Sequence, residues 1–286
     1  MSGFTTADGS GPVRLTPLTA LPQQPPVALS IGGSDSGGGA GIQADLKTFA
    51  ALRVHGCCAI TCVTAQNTTG VERVDALPPA AVSAQVQAVC RDLPVAALKT
   101  GMLLQRDLIE ATAEAIAGLP LLRVIDPVMV SRAGAVLLDP EAIAALRDRL
   151  LPLADLLTPN VHEAALLADL AISAPDDLPA AAERIAALGA AAVLIKGGGL
   201  RGFGGSDWLL DAAGGRWLRR APVATPHSHG SGCTLSAAIT AHLARGLPLA
   251  AAIDAAKLFV EGGLRHCLAI GSGQGPLCHW HGQLQS

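Results

Sequence analysis

Short apolar segments alternate with segments of helical periodicity from residue 26 onward, and this alternation limits the possible folds more than any other feature of the sequence. Strands that alternate with helices form βαβ units, whose strands run parallel and whose helices cover both faces of the sheet. The sequence therefore predicts an α/β fold with a mostly parallel, doubly wound sheet. In such sheets, ligands bind beyond the carboxyl ends of the strands.

The predicted elements fill almost the whole chain. Strands are expected at 27–33, 56–64, 95–99, 121–126, 154–159 and 190–198, and a hairpin at 206–211 and 215–220 around Gly214-Gly215. Helices are expected at 39–52, 79–93, 105–118, 140–151, 161–169, 177–188, 231–245 and 248–268. No repeat or linker divides the chain, so we expect one domain over 26–286. Residues 1–25 are rich in Gly, Thr and Pro and are expected to form a flexible tail.

Composition excludes several classes of protein. A net charge of −3, with 15% charged and 2% aromatic residues, argues against binding to nucleic acid or to an anionic membrane surface. Charged residues, Gly or Pro interrupt every apolar stretch before the roughly 20 residues that a membrane span needs. The N-terminus has no apolar segment of the secretory type. The seven cysteines form no CxxC pair and no zinc-like spacing with histidines, so we expect a cytoplasmic protein with reduced thiols.

A glycine-rich segment from Gly32 to Asp45 follows the first strand and opens a helix. Glycines there allow a tight turn and a close approach of the backbone to a ligand. Asp35 and Gln43 could then offer an acceptor and an amide to a polar heterocycle. The alternative is a turn that only caps the helix. The segment fits neither the P-loop nor the dinucleotide fingerprint.

A second glycine-rich segment, His229-Gly230-Ser231-Gly232-Cys233-Thr234-Leu235-Ser236, precedes a long Ala-rich helix. Backbone N–H groups at such a helix start form an anion pocket, and the helix dipole strengthens it. This suits the charge on a phosphoryl group in transfer. The helix start also predicts a lowered pKa for Cys233. The alternative is a buried structural cysteine.

Charged residues lie at or just after the ends of four of the predicted strands. Asp126 and Glu163 could hold Mg²⁺ through water molecules, although Glu163 would also be favourable simply as a charge in a first helical turn. Lys196, in Lys-Gly-Gly, could reach a phosphate group as a point charge. Lys99, in Lys-Thr-Gly-Met, has the same position at a strand end. For either lysine the alternative is a solvated surface charge.

The order of these motifs resembles that of the ribokinase-like superfamily. Their amino-acid sequences resemble those of its hydroxymethylpyrimidine / phosphomethylpyrimidine kinase family. The resemblance covers residues 27–280. The motifs that carry it are GSDSGGGAGIQADLKT (33–48), TAQNT (64–68), KTGM (99–102), DPVMV (126–130), TPNVHE (158–163), KGG (196–198) and HGSGCTLS (229–236). Most members of the superfamily have a catalytic Asp where this family has the Cys that is Cys233 here.

The resemblance implies a three-layer α/β/α fold, a homodimer and a specific reaction. ATP would phosphorylate 4-amino-5-hydroxymethyl-2-methylpyrimidine, and a second ATP would convert the monophosphate to the pyrophosphate, in thiamine biosynthesis. Cys233 matches the residue proposed as the base or as a positioning group, and both roles stay open. The other matches are Gly33, Asp35 and Gln43 for the substrate, Gly230, Ser231 and Gly232 for the anion hole, Thr158, Asn160 and Lys196 for ATP, and Asp126 and Glu163 for Mg²⁺.

The chain departs from the family pattern at a few positions. They are Ser231 for Thr, His227 for Asn, Gly199 for His, and Gln274 and Cys278 in the Gly-Pro segment near the C-terminus. The match ends close to the C-terminus, so no fused thiamine-phosphate synthase domain is expected. Pyridoxal kinase is the nearest alternative function. A non-catalytic binding protein and a nucleotide-dependent oxidoreductase fit the motifs less well.

Overall fold

The described residues of the computed structural model, 24–129 and 138–284, form one nine-stranded sheet. The strand order is β3-β2-β1-β4-β5-β6-β7-β8-β9. The strands from β2 to β7 in this order pair in parallel, and β3, β8 and β9 are antiparallel to their neighbours. The strands are β1 (Val27–Asp35), β2 (His55–Gln66), β3 (Val71–Ala76), β4 (Val95–Thr100), β5 (Leu122–Ile125), β6 (Leu156–Leu157), β7 (Val193–Lys196), β8 (Ser206–Asp211) and β9 (Gly214–Arg219).

Helices lie between the parallel strands, as the alternating sequence predicts, and two more follow the last strand. They are α1 (Gly41–Ala51), α2 (Pro79–Asp92), α3 (Arg106–Ile116), α4 (Pro140–Ala145), α5 (Val161–Ala168), α6 (Leu178–Ala186), α7 (Ser231–Ala244) and α8 (Leu249–Arg265). The predicted helix 140–151 is α4 followed by a π-helical turn, Leu146–Leu150. No helix of the described residues is long and apolar enough to cross a membrane.

Successive strand residues pack into different apolar layers, because side chains alternate between the faces of a sheet. In β4, Leu98 packs with the helices from α2 to α6, whereas its neighbour Ala97 packs with α7 and α8. Leu157 and Leu156 in β6 divide in the same way. The sheet is thus covered on both faces, and the predicted three-layer, mostly parallel α/β/α fold is confirmed.

Helix α7 lies against the middle of the sheet and is the most buried helix. All ten residues from Thr234 to Leu243 are buried. Neighbouring helices α1 and α8 pack on its sides, with Phe49 of α1 beside Ala237 and Ala241. A helix that is buried on nearly every side needs small apolar residues, and this explains its alanine-rich sequence.

Some features differ from the prediction. The strand β3 was missed, because all six of its residues are exposed and the edge position leaves no apolar pattern to detect. The predicted strand 154–159 is only two residues long as β6. Residues 1–23 of the expected tail and Val130 of the DPVMV motif lie outside the described residues.

Candidate active site

The carboxyl ends of the parallel strands bring the predicted site residues to one edge of the sheet. Asp35 ends β1, Asp126 follows β5, and Lys196 ends β7. Thr158 and Asn160 follow β6, so they stand beside Lys196, and Asn160 forms a β-bridge with it. The carboxyl edge of the sheet is therefore where the candidate site lies.

The Asp35 carboxylate holds the first glycine-rich loop in place. Its Oδ1 accepts a hydrogen bond from Gly37 N at 2.8 Å, and its Oδ2 accepts from Ala40 N at 2.8 Å and Gly39 N at 3.0 Å. His229 Nε2 lies 3.1 Å from the same Oδ2. Burial alone would raise the pKa of Asp35, but the hydrogen bonds from His229 and the backbone hold it below the ordinary value. Asp35 is therefore an ionised organiser of the loop.

Gln43 and Gly33 also shape this loop. The Gln43 side chain accepts from Asp35 N at 2.8 Å and donates to Ser34 Oγ at 2.8 Å. A Cβ at Gly33 would lie 2.8 Å from Cys62 Sγ and 2.9 Å from Met102 Cε, so a larger residue would require these side chains to move. Contact of Gly33, Asp35 and Gln43 with a substrate stays a prediction, because the polar groups of both side chains are already bonded within the protein.

The second glycine-rich loop forms the N-terminus of α7 and touches the first. Gly230 has a φ of +80°, and a Cβ at this position would overlap the carbonyl oxygen of Gly39. Ser231 N donates to Ser228 O at 3.2 Å. Within the described part of the chain, no backbone acceptor is found for the N–H groups of Gly232 and Cys233. These donors lie at the start of a long helix, where anions often bind, and the anion pocket itself stays a prediction.

Cys233 differs from the prediction, because its pKa is raised rather than lowered. Burial raises the pKa of its thiol to about 11, the nearby Asp45 and Asp126 carboxylates also raise it, and Lys99 offsets only part of this effect. The prediction considered only the helix start, which favours the thiolate. Desolvation beside two carboxylates outweighs that effect here.

Asp126, which is buried, and Lys196, which is partly buried, form an ion pair beside the second loop. Lys196 Nζ donates to Asp126 Oδ1 at 3.0 Å, and Ser236 Oγ of α7 donates to Oδ2 at 3.0 Å. Burial would raise the pKa of Asp126, but Lys196 and Lys99 keep it low. A Cβ at Gly232 would lie 3.4 Å from Lys196 Nζ, so this cation stands directly next to the start of α7, where the anion pocket is predicted.

Glu163 caps α5 and lies close to Asp126. Its Oε2 accepts from Asn160 N at 2.8 Å, and Asn160 Oδ1 accepts from Glu163 N at 2.9 Å. Burial raises the pKa of Glu163 to about 7; Lys196 lowers it and Asp126 raises it. Thr158 is fully buried, and no hydrogen-bond partner of its Oγ1 is found among the described residues.

Comparisons with known proteins agree with this geometry. The family model for phosphomethylpyrimidine kinase matches residues 35–278. The chain belongs to the phosphomethylpyrimidine kinase family. A hydroxymethylpyrimidine/phosphomethylpyrimidine kinase of Synechococcus elongatus is 61% identical over 257 residues, which are 90% of this chain and 98% of that protein. The predicted family and enzyme class, a phosphotransferase, are confirmed.

Two further proteins are similar to this phosphomethylpyrimidine kinase in sequence or in fold. A thiamine biosynthesis bifunctional protein of Geobacter sulfurreducens is 43% identical over 252 residues, which are 88% of this chain and 51% of that protein. The ADP complex of Bacillus subtilis pyridoxal kinase has a TM-score of 0.84 and 39% identity, and the match covers 92% of this chain and all of that one. These matches confirm the ribokinase-like fold and support ATP as the co-substrate.

A buried ion pair of this kinase was not predicted from the sequence. Lys99 Nζ donates to Asp45 Oδ1 at 3.0 Å, and Ser30 Oγ donates to Asp45 Oδ2 at 2.6 Å, with all three side chains buried. Burial would lower the pKa of Lys99, but Asp45 raises it, so the cation persists in the interior. The scarcity of lysine was a usable signal, since Lys99 is one of only four in the chain.

Gly230→Ala is expected to lower kcat by about 100-fold, because the added Cβ would push the two loops apart and misplace the anion pocket. Gly246→Ala is a matched control: Gly246 has a similar φ of +84°, but its Cβ would meet open space. Steady-state kinetics of both variants separate the overlap from the strain of a positive φ. Equal losses in the two variants would contradict our account.

The Cys233 thiol should be alkylated slowly at pH 8, because a pKa of about 11 leaves it protonated. Its rate with iodoacetamide should keep rising as the pH increases through 9 and 10, whereas an ordinary thiol levels off above its pKa of about 8.5. Peptide mapping by mass spectrometry resolves Cys233 from the other cysteines. A rate that is already constant at pH 8 would show that the thiolate is stabilised.

Proposed function

We propose that this kinase transfers the γ-phosphoryl group of ATP to the hydroxymethyl group of 4-amino-5-hydroxymethyl-2-methylpyrimidine, and then phosphorylates the monophosphate to the pyrophosphate in thiamine biosynthesis. The observation that carries this proposal is the contact between the two glycine-rich loops at Gly39 and Gly230. An alcohol bound at the first loop would lie beside a phosphoryl group held at the second. Such proximity is a large part of catalysis in phosphoryl transfer.

The residues of the second loop are suited to hold the phosphoryl group in transfer. The free N–H groups of Gly232 and Cys233 would donate to its oxygens, and the Lys196 ammonium would offset its negative charge. We propose that ATP lies along Lys196, Asn160 and Thr158, with its γ-phosphate towards α7. The low exposure of this region strengthens each of these interactions.

The carboxylates of Asp126 and Glu163 fit a magnesium ion. Both are buried, Asp126 is close enough to raise the pKa of Glu163, and their oxygens are the hard ligands that Mg²⁺ prefers. We propose that they hold Mg²⁺ through water molecules. When bound, the ion would neutralise charge on the phosphates of ATP. Lys196 would then keep Asp126 ionised and oriented.

Cys233 is better suited to positioning than to acting as a base. With a pKa of about 11, only about one thiol in ten thousand is ionised at pH 7. A phosphoryl transfer with a loose transition state depends more on position and charge than on early removal of the alcohol proton. Of the two roles that the family resemblance leaves open, we therefore propose positioning.

Cys233→Ala should accordingly lower kcat by less than about tenfold, since general-base catalysis is typically worth 100-fold or more. The KM for ATP should stay close to the wild-type value, because the backbone N–H at this position remains. Steady-state kinetics with both substrates provide the measurement. A loss of 100-fold or more in kcat with an unchanged KM would make Cys233 the base.

Phosphorus NMR of the protein with Mg-ATP and the hydroxymethylpyrimidine tests the function directly, with pyridoxal in a parallel sample. We expect ADP and a new monophosphate that converts to a pyrophosphate. The likeness to the Bacillus subtilis pyridoxal kinase makes pyridoxal the second candidate substrate. Turnover of pyridoxal alone would replace the substrate, and turnover of neither would refute both assignments.

We also propose that the protein forms a homodimer through the free edge of the sheet. All residues of β3 are exposed, including Val71 and Val74, and Val63 of β2 is 44% exposed. Open strand edges with apolar residues are often covered by another chain. Sedimentation equilibrium of the wild type would test the assembly.

We also propose that residues 26–286 form a single domain and that the protein is cytoplasmic. The described strands all belong to one sheet, which supports one domain from residue 26 onward. All seven cysteines are free thiols, which is typical of proteins from reducing compartments.

A further inference from the structure

The chain segment 273–279, here called the C-terminal segment, lies against the second glycine-rich loop. His229 N donates to Gly275 O at 3.2 Å, and Gly275 N donates to His227 Nδ1 at 3.0 Å. His227 thus has a structural partner at a position where the family usually has Asn. On its other side, the C-terminal segment is bonded to Thr68, which accepts from Gln274 N at 2.9 Å and from Gly273 N at 3.2 Å. The segment therefore joins the turn after β2 to the approach to α7.

His279 is the side chain of this segment that reaches into α7. It is 3% exposed, and its Nε2 lies 3.0 Å from Thr234 Oγ1. Thr234 Oγ1 also lies 2.8 Å from Gly230 O, to which it donates. A hydroxyl group has a single hydrogen, so both contacts are satisfied only if the His279 Nε2–H donates to Thr234. This fixes the tautomer of His279.

His279 stays neutral under ordinary conditions, so its ring carries a single N–H, which this tautomer places at Nε2. Burial lowers its pKa to about 4, and the charges of Lys47 and His281 act in the same direction. Protonation at lower pH would add a proton at Nδ1 and leave the Nε2–H in place, so the Nε2–H donates in either state. Thr234 is in turn restricted to donating to Gly230 O rather than rotating away.

The chain of bonds ends at the peptide that starts the anion pocket. Gly230 O accepts from both Thr234 N and Thr234 Oγ1, each at 2.8 Å. Because a peptide group is planar, the orientation of this carbonyl fixes the direction of the Ser231 N–H. Ser231 is the first residue of α7, and the helical backbone that starts there sets the direction of the N–H groups of the next residues. Those next residues include Gly232 and Cys233, the free donors of the pocket.

We propose that His279 is a positioning residue for phosphoryl transfer, which acts through Thr234 to fix the Gly230 carbonyl and thereby the anion pocket. This inference rests on the proposed function for its kinetic test. The residue itself need touch neither ATP nor the alcohol. Its effect is expected in the transition state, where small displacements of donors matter most.

The test compares His279→Leu with His279→Gln, whose side-chain amide offers a donor close to the position of Nε2. His279→Leu should lower kcat by about 10- to 100-fold, with little change in the KM for the pyrimidine, and His279→Gln should recover most of the loss. His242→Leu is the matched control, since His242 is also a buried histidine of low pKa, near the other end of α7. It should keep kcat within about twofold of the wild type, as expected for a residue outside the site.

A double-mutant cycle tests whether the effect passes through Thr234. Thr234→Val alone should resemble His279→Leu, Thr234→Ser should retain activity, and the double variant should lose no more than the worse single variant. All rates are measured well below the unfolding midpoint of each variant, with the folded fraction checked by circular dichroism. Additive losses, absence of rescue by Gln, or an unchanged kcat in His279→Leu would each overturn the proposal.

A readout without the pyrimidine separates this inference from the proposed function. Alkylation of Cys233 by iodoacetamide should be faster in His279→Leu and Thr234→Val than in the wild type and His242→Leu, because a loosened loop exposes the thiol. A wild type that phosphorylates no pyrimidine would refute the function alone. Equal alkylation rates in all four proteins would refute the role of His279.

Discussion

The site depends on one carboxylate. Asp35 binds three backbone N–H groups of its own loop and the imidazole of His229 from the loop before α7. Without it, the glycines that follow β1 would lose their shape and their link to the phosphate side of the site together. Charge-assisted hydrogen bonds of this kind are stronger than neutral ones, which suits a residue that must join two chain segments far apart in sequence.

The interior behind the loops holds several charges in balance. Lys99 faces Asp45, and Lys196 faces Asp126, each at 3.0 Å. Burial of an isolated charge is costly, so each lysine and aspartate depends on its partner. Burial raises the pKa of Glu163 to about 7, and no lysine lies at bonding distance from it among the described residues to offset this effect fully. An additional positive charge near the Asp126 and Glu163 carboxylates would therefore be favourable.

Much of this arrangement was predictable from the sequence. The alternation of elements gave the sheet and its layers, and the glycine-rich segments marked both loops, because glycine is needed where backbones approach closely. The Lys99–Asp45 pair and the His279–Thr234 bond were not predictable, since they join residues 54 and 45 positions apart. Only the three-dimensional structure brings such residues together. The pKa of Cys233 was predicted in the wrong direction, because burial and neighbouring carboxylates are invisible in a local motif.

The burial of α7 affects the activation barrier, because it fixes the orientation of the helix before the reaction. With residues from Thr234 to Leu243 enclosed by the sheet and two helices, the helix has almost no freedom to tilt or slide. Its dipole and the N–H groups at its start are therefore already aligned before any ligand arrives. In water, solvent dipoles would have to turn as charge moves between oxygens, and that reorganisation would add to the barrier. In this protein the dipoles are oriented during folding, so this reorganisation does not add to the barrier. The reacting groups move within an electric field that is already fixed.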